Sequence, residues 1–404
     1  MMDNVNTHLL TRKINWHHAA IQGAYWASND AIWGFIAVVL LSLGFANTQV
    51  GIITSLAALL PILTSPRLSA LADKNNRFTA RRLALLLTLL MELAAILLLC
   101  SLGHSVIVTV CFLVIGWCLT STPPFFNVMF NDFSLRGLDV NYGLGRGIGS
   151  VFYAAVSLLV GLAMAHRAPT LVIPLFLVLN ALTAIAVATF RYPLPPLPPQ
   201  KAGDQPVSNR ELLKKYPTFF LLILGWGLLF GSHNTSGTYL IHVIRKMGEG
   251  ESLLGILIAV SVLMEFPSMW AFRSLLQKKS LRFWFCVSAS AYVLRHIVLL
   301  VARRPLFLFL IAIIQFFETG MLVPATALYV VRYLDAANQA KGQTLMYTLS
   351  NGVIPACILF LSGRLVDVSG IDSALFLILA CSMIGAAIVF AVLLLPMKKG
   401  DKTP

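Results

Sequence analysis

RYPLPPLPPQKAGDQPVSNRELLKKY, residues Arg191–Tyr216, is the one long break in an otherwise apolar chain of 404 residues. Its prolines forbid helix and favour extended geometry, and its charges keep it in water. On both sides, apolar runs follow one another with short gaps. About 20 helical residues cross a bilayer core. Six such runs precede the break, at 15–43, 49–72, 81–102, 105–132, 143–165 and 170–190. Six follow it, at 217–243, 252–275, 280–302, 305–334, 341–363 and 372–396. The pattern predicts an all-α polytopic membrane protein, with 12 transmembrane helices in two pseudo-symmetric six-helix bundles. Residues 1–190 would form the first bundle, 191–216 a cytoplasmic linker and 217–404 the second. A repeat of this kind suggests a solute path between the halves.

Composition agrees. Apolar residues make up 58% of the chain and charged ones 11%, too little polar surface for a water-soluble fold of this size. The net charge of +14 comes from short basic clusters that alternate in density from loop to loop, unlike a phosphate-binding patch. Placing the N-terminus inside puts 21 of the 30 Lys and Arg on the cytoplasmic side, including Arg12, Lys74, Arg81, the linker and the 398–402 tail. The expectation is a cell (inner) membrane protein with both termini cytoplasmic, in contact with lipid and a small solute, monomeric, and not with nucleic acid. No cleavable leader is expected. The six cysteines lie within apolar runs without ligand-like spacing and read as small buried residues. No P-loop, HExxH or nucleophile–His–acid cluster occurs, so neither an ATP-driven pump nor an enzyme is expected, and no cofactor or metal.

A charge at mid-bilayer costs about 3 kcal/mol or more, so such residues usually meet a partner or a wet cavity. Asp30, Glu92, Arg146, Glu265, Arg295 and Glu318 are of this kind. At 100° per residue, His18, Gln22, Tyr25, Trp26, Asn29, Asp30 and Trp33 share one arc of the first span. Such a face suits a cavity wall for a polar ring-shaped solute, or a packed interface held by polar groups. Arg146, Ser150 and Tyr153 share a face of the fifth span. Ser261, Glu265 and Ser268 do so in the eighth, and Ser288, Tyr292 and Arg295 in the ninth. A buried Glu318 could hold a proton until a cation such as Arg295 approaches, with Gln315 one turn earlier. A static ion pair is the other reading. Glu92 has no evident role, and His233, Asn234 and Asn351 could line a cavity.

SALADKNNRFTARRLALL (Ser69–Leu86), after the second span, resembles the signature loop of the major facilitator superfamily. The matching positions are Leu71, Asp73, Lys74, Arg77, Arg81 and Arg82, with Ser69 where the family prefers glycine. The resemblance implies a conformational gate at Asp73, Lys74, Arg77 and Arg81, since an acid at a helix C-terminus needs a cation or a helix N-terminus to meet it. Within that superfamily the chain resembles the branch of lactose permease and the phenylpropionate- and nucleoside-type proton symporters. That likeness rests on YWASNDAIWGF (Tyr25–Phe35), YGLGRGIGS (Tyr142–Ser150), and Glu265, Arg295 and QFFETG (Gln315–Gly320). It implies solute contact by Arg146 and Glu265. Asn127 stands where the branch has an acid partner for that arginine, and Gln315 and Ala312 replace a histidine and a lysine. The expected activity is proton-coupled symport of a sugar, nucleoside or aromatic acid, with the proton as coupling ion. Gln22, Trp26, Asn29, Asp30, Trp33, Asn127, Arg146 and Glu265 would contact the solute, while Glu318, Arg295 and Gln315 carry the coupling. An exporter or antiporter, or a non-transporting sensor on the same fold, are the alternatives.

Overall fold

A computed structural model describes residues 2–74, 79–193 and 208–394. Before the linker lie α1 (Met2–Asn29), α2 (Ile36–Ser42), α3 (Asn47–Lys74), α4 (Ala80–Cys100), α5 (Ser105–Ser121), α6 (Pro123–Leu135), α7 (Tyr142–Met164) and α8 (Val172–Thr189). After it come α9 (Asn209–Lys215), α10 (Pro217–Thr238), α11 (Leu240–Lys246), α12 (Glu251–Lys278), α13 (Leu281–Val301) and α14 (Pro305–Ile314). The chain closes with α15 (Thr319–Tyr333), α16 (Ala336–Thr348), α17 (Ile354–Ser369) and α18 (Ile371–Leu394). Among the described residues, ten helical stretches are long and apolar enough to cross a membrane, and α1 with α2, bent by 42°, make an eleventh. The stretch expected to be the seventh span, α10 and α11, does not reach that standard. Its first half is apolar, but SHNTSGT (Ser232–Thr238) fills its second half with hydrogen-bonding groups.

Several expected spans are broken helices. α1 passes into a π-helical turn at Asp30–Gly34 before α2. Pro123 and Pro124 cannot donate to the preceding turn, so α6 starts afresh after Thr122. A second π turn, Leu349–Val353, joins α16 to α17. Residues 315–318 leave the helix between α14 and α15.

Two compact units emerge. The first holds residues 1–46, 56–201 and 251–259; the second holds 47–55, 202–250 and 260–404. Two short segments thus pack away from the rest of their own half, a trade that the simple cut at the linker does not contain. In the first unit Gly161 and Gly255 meet backbone to backbone: a Cβ on Gly161 would lie 2.7 Å from Gly255 Cα. In the second, α10 lies against α18, and a Cβ on Gly385 would sit 2.9 Å from the Gly225 carbonyl oxygen. Small residues let helix backbones approach where lipid offers no hydrophobic drive for association. An aromatic core of Trp226, Phe285 and Tyr329 fills the second unit.

All six cysteines are free, but only Cys111 and Cys118 are buried; Cys100 and Cys357 are exposed. The expectation that all six are interior residues fails for these two. In a chain solvated by lipid, an outward face is apolar as well, so apolar flanks cannot tell core from periphery.

Candidate functional site

In the first unit, one face of α1 carries His18, Gln22, Trp26 and Asp30, each one turn from the next. Gln22 Nε2 lies 3.2 Å from His18 Nε2, and Trp26 Nε1 donates to Gln22 Oε1 at 2.9 Å. His18 stacks on Phe130 with ring centres 3.8 Å apart. The guanidinium of Arg146 lies 4.1 Å from the centre of the Trp26 ring, an arrangement a flat, weakly hydrated cation favours. α7 comes this close because of its glycines. A Cβ on Gly149 would lie 2.6 Å from Trp26 Cδ1, and one on Gly145 would run into the His18 ring. YGLGRGIGS is therefore a groove cut for the α1 aromatics, with Arg146 on its rim. Gly149→Val should lower the unfolding midpoint, with an overpacking cost of about 1–3 kcal/mol; a thermal melt in detergent checks it.

Of the rest of the expected arc, Trp33 leaves this face, while Asp30 stays on it towards α7. Trp33 packs on α5, where a Cβ on Gly116 would lie 2.5 Å from Trp33 Cζ3. Asp30 is fully buried and its Oδ2 accepts from Ser157 Oγ at 2.7 Å. Asn29 remains partly exposed. Asn127 accepts from the Tyr142 hydroxyl at 3.0 Å and is not bonded to Arg146. Glu92 accepts from Asn180 Nδ2 at 2.7 Å, which ties α4 to α8.

In the second unit a polar network sits at the break between α14 and α15. Glu318 is fully buried and Arg295 is 4% exposed. Arg295 donates to Gln315 Oε1 at 2.7 Å and to Glu318 Oε2 at 3.2 Å. Gln315 Nε2 donates to Glu265 Oε1 at 2.7 Å. His233 Nδ1 lies 3.3 Å from Glu318 Oε2. One arginine thus touches a carboxylate directly and reaches a second through an amide. Glu265, expected to contact solute, belongs to this network.

The break is served by side chains. Ser268 Oγ donates to the Phe316 carbonyl at 2.5 Å, Ser288 Oγ to that of Glu318 at 3.1 Å, and Arg295 to that of Ile311 at 3.4 Å. Freed backbone groups within a membrane need such partners. Ser268 and Ser288, which share faces with Glu265 and Arg295, meet this need. His233 is a neighbour of Glu318 that the sequence undersold. Its signal was a histidine within a polar patch of an otherwise apolar helix.

Of the expected gate, Arg77 and the side chains of Asp73 and Lys74 lie outside the described residues. Arg81 donates to the Ala188 carbonyl at 3.1 Å, holding the start of α4 to the end of α8. A latch that the sequence did not announce appears in the second unit. Asp367, near the end of α17, accepts from the backbone amides of Asn47 at 3.0 Å and Thr48 at 2.6 Å. It also accepts from their side chains, at 2.9 Å and 2.6 Å. His242 Nε2 lies 2.6 Å from Asn47 Oδ1. Asp367 therefore caps the N-terminus of α3 from another helix. Asp367→Ala should cost about 1 kcal/mol or more by loss of this cap and speed hydrogen exchange of the first amides of α3. Unchanged exchange there would show that the cap contributes nothing.

Helices of this length and number make the chain a multi-pass membrane protein. The chain belongs to the MFS_1 like family, whose sequence profile matches residues 24–377. No curated protein matches it in a sequence comparison. The fold is that of major facilitator transporters. It superposes on a point mutant of the nucleoside transporter NupG with a TM-score of 0.78 and 15% identity, covering 95% of this chain and 98% of that one. A bacterial homologue of the human lysosomal transporter Spinster, inward-facing and occupied, matches with TM-score 0.67 and 13% identity over 95% and 97% of the chains. An auto-inhibited POT family peptide transporter matches with TM-score 0.71 and 12% identity over 96% and 99%.

Proposed function

We propose that this protein is a proton-coupled symporter of a small polar or ring-containing solute, working by alternating access between two six-helix bundles. The observation that carries the reading is the buried assembly of Arg295, Gln315, Glu265 and Glu318 at a helix break. A fully buried carboxylate beside a single arginine has two stable conditions: ionised and paired, or protonated and released. Any movement of α13 against the α14–α15 break changes their separation, which couples proton affinity to helix position. The Trp26–Arg146 platform supports a solute with a flat or ring-shaped apolar face and at least one oxygen acceptor, as in sugars, nucleosides and aromatic acids. The nucleoside transporter among the structural relatives is consistent with that class. The protein acts as a monomer in the inner membrane with both termini in the cytoplasm, Asp73, Lys74, Arg77 and Arg81 forming its cytoplasmic gate.

A thermal-shift screen of the purified protein against sugars, nucleosides and aromatic carboxylates identifies the solute, since a ligand bound at 100 times its Kd stabilises by about 2.7 kcal/mol. Vesicles containing the protein and a pH-sensitive dye then test coupling. An inward solute gradient should carry protons inward. Outward proton movement would make the protein an antiporter, and no solute flux at all would make it a sensor on a transporter fold.

A further inference from the structure

The first unit buries a second acid, and among the described residues no cation sits beside it. Asp30 has no exposed surface. Its Oδ2 accepts from Ser157, the Tyr153 hydroxyl is the other donor at the carboxyl, and Oδ1 has no hydrogen-bond partner among the described residues. The π turn that begins at Asp30 packs against α7 and α8 and continues α1. α8 carries no titratable side chain. α7 offers Tyr142, Arg146 and Tyr153, and of these only Tyr153 faces the carboxyl. Arg146 lies on the Trp26 ring and makes no ion pair with Asp30. His18, on α1, is three turns away along the helix. A lone ionised carboxylate is very costly to bury, while a neutral acid with hydroxyl partners is not. The surroundings of Asp30 thus suit the neutral acid better than the bare carboxylate.

Two features show that the place is built for this carboxyl. The helix opens into its π turn right at Asp30, a distortion that often marks functional positions. Gly34, one turn on, leaves the space that the carboxyl fills, because a Cβ there would run into Oδ1. The acid also stands next to the aromatic platform. Trp26 lies one turn before Asp30, and the Tyr153 ring centre is 6.3 Å from that of Trp26. Tyr153 thus neighbours both the Trp26 ring and the Asp30 carboxyl.

We propose that Asp30 is a second proton-binding carboxyl, separate from the Glu318 network and responsive to occupancy of the Trp26–Arg146 platform. The proton is held on Oδ1 as O–H. When it leaves, the carboxylate keeps the Ser157 and Tyr153 hydroxyls as donors. The role of this proton in transport rests on the symport reading, but its binding does not.

Infrared difference spectroscopy of the full-length protein in lipid, taken between acidic and alkaline buffer in H2O and D2O, tests this. The expected result is a titrating, deuterium-sensitive C=O band of a buried carboxylic acid that persists in Glu318→Gln and is lost in Asp30→Asn. Asparagine matches the acid in shape and should fold. Should it not, Ser157→Ala, which removes one donor from the carboxyl, must shift the midpoint of the same band. A band that survives Asp30→Asn, that never titrates, or that Ser157→Ala leaves unmoved overturns the proposal. A titrating Asp30 band in a protein with no solute-driven proton movement would sink the symport reading alone.

Discussion

Glu318→Gln should leave solute exchange largely intact and abolish accumulation against a gradient. Glutamine keeps the size of the side chain and an oxygen for the Arg295 guanidinium, which now donates to Glu318 Oε2 at 3.2 Å. It cannot ionise, so the network has one charge condition instead of two. The pair loses its Coulombic attraction, and Arg295 keeps Gln315, 2.7 Å away, as its better acceptor. A carrier in this state can still change conformation with solute bound at both faces, which is all that exchange requires. On the symport reading, what it loses is the step at which a proton must leave before the empty carrier returns. The measurement is a pair of assays on the same vesicles: concentrative uptake under an imposed pH gradient, and counterflow with no gradient. Accumulation should fall at least about tenfold, the effect of removing some 1.4 kcal/mol or more of coupling, with counterflow within a few-fold of wild type. Undiminished accumulation by the variant would remove this carboxylate from the mechanism.

Arg146→Ala carries the second large effect. The guanidinium is bound to a ring face, not to an acid, and the acid partner of related permeases is replaced by Asn127, which is engaged by Tyr142. On the proposed reading, its donors serve the solute. Hydrogen bonds to a charged group contribute about 1.5–3 kcal/mol, so solute affinity should fall by roughly 10- to 150-fold. Arg146→Lys restores charge without the planar fork or the stack on Trp26, and should recover only part of the loss. Ligand titrations followed by thermal shift measure both variants. Unchanged affinity in the alanine variant would place Arg146 outside the binding site. Removing the cation–π contact alone should change unfolding by only about 0.5–2 kcal/mol, so a stable protein with weak binding is the expected phenotype.

Much of this architecture was legible in the order of residues, for reasons that can be named. Proline and charge in Arg191–Tyr216 cannot enter a bilayer as helix, and the runs around it can hardly do anything else. The membrane acids stood out because few side chains cost as much there. The detailed site was less legible, because periodicity presumes a regular helix. The π turn at Asp30–Gly34 inserts a residue and advances the phase, so Asp30 turns to Ser157 on α7 while Trp33 turns to Gly116 on α5. A wheel drawn at constant pitch puts both on one arc. The same holds for QFFETG. Read as helix, Gln315 and Glu318 are merely neighbours on a face; as a break, they free carbonyls that recruit Ser268, Ser288 and Arg295. The approach of His233 to Glu318, and of Asp367 to Asn47, joins residues 85 and 320 positions apart, and no local pattern encodes such meetings. The glycines around Arg146 were visible from the start, but their purpose needed the rings of His18 and Trp26 in place.

The polar second half of α10 bears on how the chain is made. A segment ending in SHNTSGT has little reason to leave the translocation machinery for lipid by itself. Its close neighbours are α17 and α18, with α18 meeting it glycine to glycine, and these emerge from the ribosome more than 100 residues after it. Integration of this segment should then finish only after α17 and α18 are made, and truncation before α17 should leave it loosely inserted and open to membrane quality-control proteases.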